Sequence, residues 1–132
     1  MGLDEKWGVK IGALPSGALN KITDVAGVRV GHATLNTGAA RTGVTAVIPH
    51  NGNIYQEKLP CGCAVFNGFG KTAGLLQIAE LGNLETPIIL TNTLSVGTAY
   101  TALAEYMLAG NPEIITVNPI ICECNDGYLN DL

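Results

Sequence analysis

The sequence contains few charged side chains, few aromatic ones and no long apolar run. Charged residues make up 14% of the 132 residues and aromatic residues 5%, against about 25% charged residues in an average soluble domain. No stretch approaches the ~20 apolar residues that a membrane-spanning helix needs. The seven lysines and arginines are scattered along the chain, whereas a surface that follows phosphates needs them clustered. The sequence therefore argues against nucleic-acid binding and against a membrane span.

Serine is also scarce. The sequence has only Ser16 and Ser95, and neither lies in the Gly-x-Ser-x-Gly turn of a serine hydrolase. Ser95 precedes a helical pattern, so we expect it to cap that helix. Neither serine therefore carries the local signature of a serine nucleophile.

The N-terminal ten residues are polar and lack the apolar core of a secretory signal, which predicts a cytoplasmic location. In that reducing compartment the four cysteines, Cys61, Cys63, Cys122 and Cys124, are expected to stay thiols. They form two i,i+2 pairs, and on a strand such residues face the same way. A thiolate zinc site is therefore an alternative, although common zinc knuckles use longer spacers. Small buried side chains are the simpler interpretation.

Apolar residues are abundant, at 47% of the chain, and there are 17 glycines. With so little charge, either another polypeptide covers much of the surface or the chain is part of a larger body. A length of 132 residues accommodates one domain. Residues 1–132 are therefore interpreted as a single domain or as the N-terminal fragment of a longer protein.

The spacing of apolar residues predicts both strands and helices. Strands are expected at 28–35, 43–49, 63–67, 87–91 and 113–122. Helices are expected at 72–81 and 96–109, each followed by a glycine. Residues 36–40 are expected to form a loop, and Asn51-Gly52 is a hairpin signal. The succession predicts an α/β or α+β fold with helices on at least one face of a sheet.

The sequence Gly-Phe-Gly-Lys-Thr at 68–72 resembles the end of a phosphate-binding loop. The first glycine of that motif is missing, because Val65 occupies its position. The dinucleotide-binding pattern fails as well, since Ala73 stands where its third glycine belongs. A tight turn entering a helix is the simpler interpretation, and its exposed amides could still receive an anion.

Glu123 ends the mostly apolar run 114–122 and is followed at once by a polar turn with Asp126 and Gly127. Burying a carboxylate without a cationic partner costs several kcal/mol, or the group takes up a proton. We interpret Glu123 as a carboxylate that awaits a cation such as a substrate ammonium; the alternative is a strand-end acid bonded by nearby amides. Asp126 is expected to form the turn. Asn92 ends another apolar strand, where it either contacts a ligand or bonds its own backbone.

Five segments, in order, carry a resemblance to a known family. They are ITDVAGVRVGH at 22–32, TGVTAV at 42–47, NGFG at 67–70, TNTLSVG at 91–97 and ECNDGYLND at 123–131. This succession resembles the DmpA-type aminopeptidases, the family of L-aminopeptidase/D-esterases and β-peptidyl aminopeptidases. Five ordered segments are far more specific than any single motif.

The resemblance implies a layered α-β-β-α sandwich, of which this chain would form the N-terminal portion. It also implies a self-processing hydrolase of the N-terminal-nucleophile type, which is usually an oligomer and uses no cofactor or metal. Such enzymes release N-terminal residues from peptides, amides or esters. By the same resemblance, Glu123 holds the substrate amino group, while Asn92 and Asn125 line the pocket. Asn125 departs from the family pattern, in which an aromatic residue is often expected.

Family members are much longer, so the resemblance implies that the serine or threonine nucleophile lies on a segment beyond Leu132 or on another chain. The expected activity is therefore that of an aminopeptidase that is incomplete as given. The alternative is a truncated, non-catalytic homologue that binds small amines or assembles with a partner chain.

Overall fold

Strands dominate the first half of the chain, and strands alternate with helices in the second half. The structure, a computed structural model, describes residues 6–9 and 12–130. Its strands are β1 (Arg29–Thr37), β2 (Ala40–Ile48), β3 (Leu59–Pro60), β4 (Asn83–Leu84), β5 (Ile88–Asn92) and β6 (Ile120–Cys124). Helix α1 spans Leu75–Leu81 and helix α2 spans Val96–Gly110, with 3₁₀ turns at Ile22–Asp24 and Thr93–Ser95. The predicted mixed α/β class is confirmed.

Four strands form one sheet in the order β1-β2-β5-β6, and β3 pairs with β4 in a separate ladder. The pairs β1–β2 and β2–β5 are antiparallel, whereas β5 and β6 run parallel. Parallel neighbours need a crossover connection, which α2 supplies. The carboxyl ends of β5 and β6 therefore lie side by side at one edge of the sheet, a usual place for ligand contacts.

The hairpin lies at a different place from the one predicted. β1 and β2 pair along their whole length, so only residues 38 and 39 connect them. Gly38 has a φ of +55°, a left-handed conformation that glycine adopts without strain. The hairpin prediction at Asn51-Gly52 is wrong, because β2 pairs with β1 and β5 instead. The Gly52 amide donates locally to His50 Nδ1 at 2.9 Å.

Two predicted strands also differ from the observed ones. The segment 63–67 is irregular, and β6 covers Ile120–Cys124 rather than 113–122. Pro119 stands immediately before β6. Because proline lacks the N–H that a ladder needs, pairing starts only after it.

Helix α1 begins three residues later than predicted. Ala73 pairs with Ile121 of β6 through two backbone hydrogen bonds, of 2.9 and 3.2 Å. Gly74 then turns the chain with a φ of +85°, and a Cβ there would collide with the carbonyl oxygen of Pro119. The segment before α1 is therefore held against β6.

The hydrophobic core lies between α2 and the parallel pair of strands. Helix α2 buries Val96, Leu103 and Met107 on its inner face. They belong to one cluster with Ile120 and the wholly buried Ile121 of β6. Each such side chain contributes about 1.5–3 kcal/mol on burial, so this packing fixes α2 against β5 and β6.

Glu85 is a buried carboxylate that links the residues before β5 to those before β6. Its side chain is 8% exposed and Lys58 Nζ lies 2.6 Å from Oε2. The Asn118 amide donates to Oε1 at 2.9 Å. Burial raises the pKa of Glu85, but the donors, with Lys58 foremost, outweigh it and hold the pKa below its usual value of 4.5. Glu85 is therefore an ionised structural anchor.

Lys58→Met is expected to lower the free energy of unfolding at neutral pH by about 1–3 kcal/mol, because a buried charged acceptor loses a partner. Partial exposure of Lys58 favours the lower end of that range. Since the folded-state pKa lies below 4.5, the pair stabilises the fold above that pH. Its contribution is lost as the pH falls through the folded pKa. Urea denaturation at a series of pH values measures both effects.

The matched control is Lys6→Met, because Lys6 is exposed, lies over the Trp7 ring and forms no ion pair with a carboxylate of the described residues. We expect a change within about 0.5 kcal/mol. Equal losses for the two variants, or a difference that persists unchanged in acid, would contradict the role assigned to the ion pair.

Candidate functional site

A cavity of about 1040 Å³ lies beside the carboxyl end of β6. The segment 61–76 forms much of its wall, and side chains at the ends of β5 and β6 form the rest. Among the described residues that line the cavity, Glu123 and Lys71 are the only acidic or basic ones. The cavity is thus mainly apolar with a few placed polar groups, as small-molecule sites usually are.

Glu123 lies half-buried on β6, next to Thr91 of β5 in the parallel register. Its Oε2 accepts a hydrogen bond from Thr93 Oγ1 at 2.5 Å, and its Oε1 accepts one from the Lys71 amide at 3.2 Å. Within the part of the chain that the structure describes, no cationic side chain forms an ion pair with it. The carboxylate is therefore oriented by neutral donors and remains available to a cation.

The turn at 67–70 brings the Lys71 amide to Glu123. The Gly70 amide donates to the Asn67 carbonyl at 3.2 Å, and the Phe69 amide donates to Asn67 Oδ1 at 3.0 Å. A Cβ on Gly70 would lie 2.6 Å from Glu123 Oε1, so only glycine lets the carboxylate approach this closely. The predicted tight turn is present. The Lys71 amide, which follows the turn, donates to the carboxylate of Glu123.

Asn92 belongs to a chain of hydrogen bonds that joins three strand ends. Its Oδ1 accepts from the Ser95 amide at 2.8 Å, and its Nδ2 donates to Thr42 Oγ1 at 3.1 Å. The Thr42 hydroxyl in turn donates to Asp126 Oδ2 at 2.6 Å. Since the Ser95 amide can only donate, the direction of every bond in this chain is fixed.

The expected cap at Ser95 is wrong, whereas the expected turn at Asp126 is confirmed. Ser95 makes no side-chain cap, and Asn92 instead caps the 3₁₀ turn ahead of α2. Asp126 does open a turn, since its carbonyl accepts from the Leu129 and Asn130 amides at 2.7 and 2.9 Å. In addition, Asp126 Oδ2 is the last acceptor in the series of hydrogen bonds that starts at the Ser95 amide. Asp126 Oδ1 is buried and has no partner among the described residues. Asp126 is thus a structural acceptor at the sheet edge.

The structure brings two of the three predicted site residues to the cavity. Glu123 and Asn125 line it, whereas Asn92 does not. Asn125 is exposed, and its Oδ1 accepts from the Gly127 amide at 2.8 Å, while its side-chain NH₂ has no hydrogen-bond partner among the described residues. A substrate role for these residues stays a prediction. Asp131, at the end of the segment that carries the family resemblance, lies outside the described residues.

Sequence reasoning missed two residues that touch Glu123. Thr93 supplies a hydroxyl and Lys71 a main-chain amide. Thr93 lies in the segment 91–97 and Lys71 directly follows the segment 67–70. Both residues are therefore in or next to segments that carry the family resemblance. No local pattern reports a contact between residues 52 positions apart.

All four cysteines line the same cavity, as free thiols. The pKa of Cys122 is raised by its burial and, to a smaller extent, by the nearby Cys61 and Cys63. No group of three or more histidine, cysteine, aspartate or glutamate side chains within residues 6–9 and 12–130 is arranged to hold a metal ion. The thiolate zinc alternative therefore finds no support in this region.

None of the helices in the described part of the chain has the length and apolar character that a bilayer crossing requires.

Comparison with other proteins identifies relatives of this chain in sequence and in structure. Residues 20–132 match peptidase family S58. The chain is 37% identical over 128 residues to the β-peptidyl aminopeptidase BapA of Sphingosinicella xenopeptidilytica, covering 88% of this chain and 32% of that protein. It matches the crystal structure of the PH0078 protein of Pyrococcus horikoshii OT3 with a TM-score of 0.89 and 51% identity, over 95% of this chain and 39% of that one.

A third match names the fold. The L-aminopeptidase D-Ala-esterase/amidase of Ochrobactrum anthropi, a prototype for the serine aminopeptidases and a variant of the Ntn hydrolase fold, matches with a TM-score of 0.76 and 30% identity. That match covers 94% of this chain and 38% of the other. The fold is thus one shared with Ntn-type aminopeptidases.

The chain belongs to peptidase family S58, so the resemblance to DmpA-type aminopeptidases is confirmed. It spans between about a third and two fifths of the length of these relatives.

Thr42→Val tests the hydrogen-bond chain at the sheet edge. The variant keeps the β-branched shape but leaves Asn92 Nδ2 and Asp126 Oδ2 without their common partner. We expect the free energy of unfolding, measured by urea denaturation, to fall by about 1–3 kcal/mol because buried polar groups lose a bond.

Thr45→Val on the same strand is the matched control. Its hydroxyl makes an exposed hydrogen bond, of 2.8 Å, with His32 Nδ1, so its loss should change stability by no more than about 0.5 kcal/mol. A Thr42 variant as stable as the Thr45 variant would show that the hydrogen bonds from Asn92 through Thr42 to Asp126 contribute little to stability.

Proposed function

We propose that this chain provides the amine-binding part of an aminopeptidase that releases N-terminal residues from peptides, amides or esters. The observation that carries the proposal is the Glu123 carboxylate, which lines a large cavity and is oriented by two neutral donors without a cationic partner in the described chain. Membership of peptidase family S58 supports the same activity.

A substrate ammonium is the group that this carboxylate fits best. Charge-assisted hydrogen bonds between ammonium and carboxylate are about twice as strong as neutral ones. The Thr93 and Lys71 donors fix the position of both carboxylate oxygens, so a bound amine is held at a defined place. That constraint orients the neighbouring scissile carbonyl, which is how positioning lowers a reaction barrier.

The attacking group is proposed to lie outside this chain. Neither Ser16 nor Ser95 lines the cavity, and the Ser95 amide is committed to Asn92. A serine or threonine freed by self-cleavage, on a further segment or a second chain, would serve as the nucleophile. Assembly into a homo-oligomer belongs to the same proposal.

The two asparagines take different parts in this proposal. The NH₂ of Asn125 is proposed to donate to the substrate carbonyl, since the Oδ1 of the same side chain is already bonded to the Gly127 amide. Asn92 has both ends of its amide occupied, so it is proposed to shape the strand end rather than to touch the substrate.

One observation favours a second candidate, a non-catalytic module that binds small amines. No serine lines the cavity among the described residues; Thr72 and Thr93 are the hydroxyl groups there, and Thr93 donates to Glu123. An assay of the purified 132-residue protein mixed with the remaining segments of a longer relative distinguishes the two candidates. A non-catalytic module would bind amines but leave aminoacyl anilides intact in that mixture, whereas the amine-binding part of an aminopeptidase would support their hydrolysis.

Glu123→Gln in the full-length protein tests the amine role. The two side chains have the same shape, but the amide carries no charge. We expect kcat/KM for substrates with a free amino group to fall about ten- to hundredfold, the value of one hydrogen bond to a charged group. N-acetylated counterparts, assayed in parallel, should change far less.

An equal loss on free and acetylated substrates would contradict this role, because it would indicate general damage. Thermal denaturation of the variant provides the folding control, and its midpoint should lie close to that of the parent.

Gly70→Ala tests whether the position of the Glu123 carboxylate matters. The added methyl would lie 2.6 Å from Oε1, so the carboxylate must move away from the Lys71 amide. Small displacements of positioning groups reduce rates about tenfold or more, and we expect kcat/KM for free-amine substrates to fall by at least that factor.

Gly68→Ala is the control, since a Cβ at Gly68 has nothing within 4 Å and the substitution has the same effect on backbone entropy. Its activity should stay within about twofold of the parent, because the added methyl contacts nothing although Gly68 belongs to the same cavity wall. Equal losses in the two variants would assign the effect to the loop as a whole instead of to the contact with Glu123.

A further inference from the structure

The cavity contains one acidic and one basic side chain, and they are not paired with each other. Glu123 and Lys71 both line it, and the Lys71 main-chain amide bonds the Glu123 carboxylate. The Lys71 ammonium points elsewhere: Nζ donates to the Phe69 carbonyl at 2.7 Å and lies 3.5 Å from the centre of the Phe69 ring. Two residues of opposite charge thus contribute to the lining of the cavity without forming an ion pair with each other.

The Lys71 ammonium keeps unused binding capacity. An ammonium has three donors, of which the Phe69 carbonyl takes one. No carboxylate in the described part of the chain forms an ion pair with it. The contact with the Phe69 ring adds a cation–π attraction that holds the ammonium near the cavity wall. The cation is thus retained beside the cavity but still lacks an anion.

We propose that Lys71 binds the free carboxylate of the substrate, so that the preferred substrates are short peptides unblocked at both ends. The inference rests on the proposed function, because it takes Glu123 as the group that binds the substrate amine. A dipeptide or tripeptide has the matching pair of terminal charges. Two extended residues span at most about 7 Å and three about 11 Å, lengths that a cavity of about 1040 Å³ accommodates.

The carboxylate contact sets specificity rather than rate. Lys71 is exposed, so solvent screens the ion pair and the gain in affinity is modest. The contact is proposed to be made equally in the bound substrate and in the transition state, because the terminal carboxylate keeps its charge while the peptide bond is cleaved. Such uniform binding lowers KM and leaves kcat unchanged. Terminal amides and esters, which lack the carboxylate, should bind more weakly.

The experiment compares L-alanyl-L-alanine with its C-terminal amide on the full-length protein. In the parent the acid is expected to have a KM about three- to fivefold lower than the amide, the size of one partly screened ion pair. Lys71→Met should abolish that preference through KM, whereas Lys71→Arg should keep most of it. Lys6→Met is the matched control, because Lys6 is also an exposed lysine over an adjacent aromatic ring, 5.2 Å from its centre, but lies outside the cavity.

The outcomes separate a failure of this inference from a failure of the proposed function on which it rests. If Glu123→Gln weakens turnover of free amines but Lys71→Met leaves the preference for the acid intact, the inference fails and the proposed function stands. A loss of preference in Lys6→Met as large as in Lys71→Met, or in Lys71→Arg as large as in Lys71→Met, would also overturn it. If the parent turns over neither peptide, or if Glu123→Gln has no effect on free amines, the proposed function fails and this inference fails with it.

Discussion

The Glu123 carboxylate accepts two hydrogen bonds from neutral donors and has no cationic partner in the described chain, and the rest of the site is arranged around it. A charge in this state is costly unless solvent or a ligand completes its surroundings. The parallel pairing of β5 and β6 supplies the Thr93 hydroxyl from the neighbouring strand end. The turn at 67–70 supplies the Lys71 amide, and Gly70 leaves the space for it.

The supporting structure consists of polar links between segments that are distant in sequence. Thr42 joins Asn92 to Asp126 at the carboxyl edge of the sheet. Glu85 joins the residues that enter β5 to those that enter β6 at the opposite end of the strands. With α2 packed over the same strands, both ends of the β5–β6 pair are fixed. A carboxylate mounted on β6 is consequently held to a definite position relative to the cavity wall.

Local patterns in the sequence predicted those features that depend on neighbouring residues. The apolar spacing in 96–109 gave the position of α2, and the run ending at Glu123 put a carboxylate at a strand end. Long-range contacts account for what was missed. Ala73 pairs with β6 rather than joining α1. The Asn92 side chain, which also bonds Thr42, caps the 3₁₀ turn ahead of α2, whereas Ser95 makes no side-chain cap. The pairing of the Lys71 amide with Glu123 leaves no trace in either local sequence.

The bond between the Lys71 amide and Glu123 has a dynamic consequence, because the same segment forms the cavity wall and holds the charge. If 67–71 moved outward, the bond would break and the half-buried carboxylate would become more exposed to water in the same motion. Hydration raises the effective dielectric and weakens the attraction for any cation. The enclosure of the carboxylate and its attraction for a cation would therefore change together. A ligand that binds Glu123 while the Lys71 amide is bonded to it would favour that arrangement of the loop.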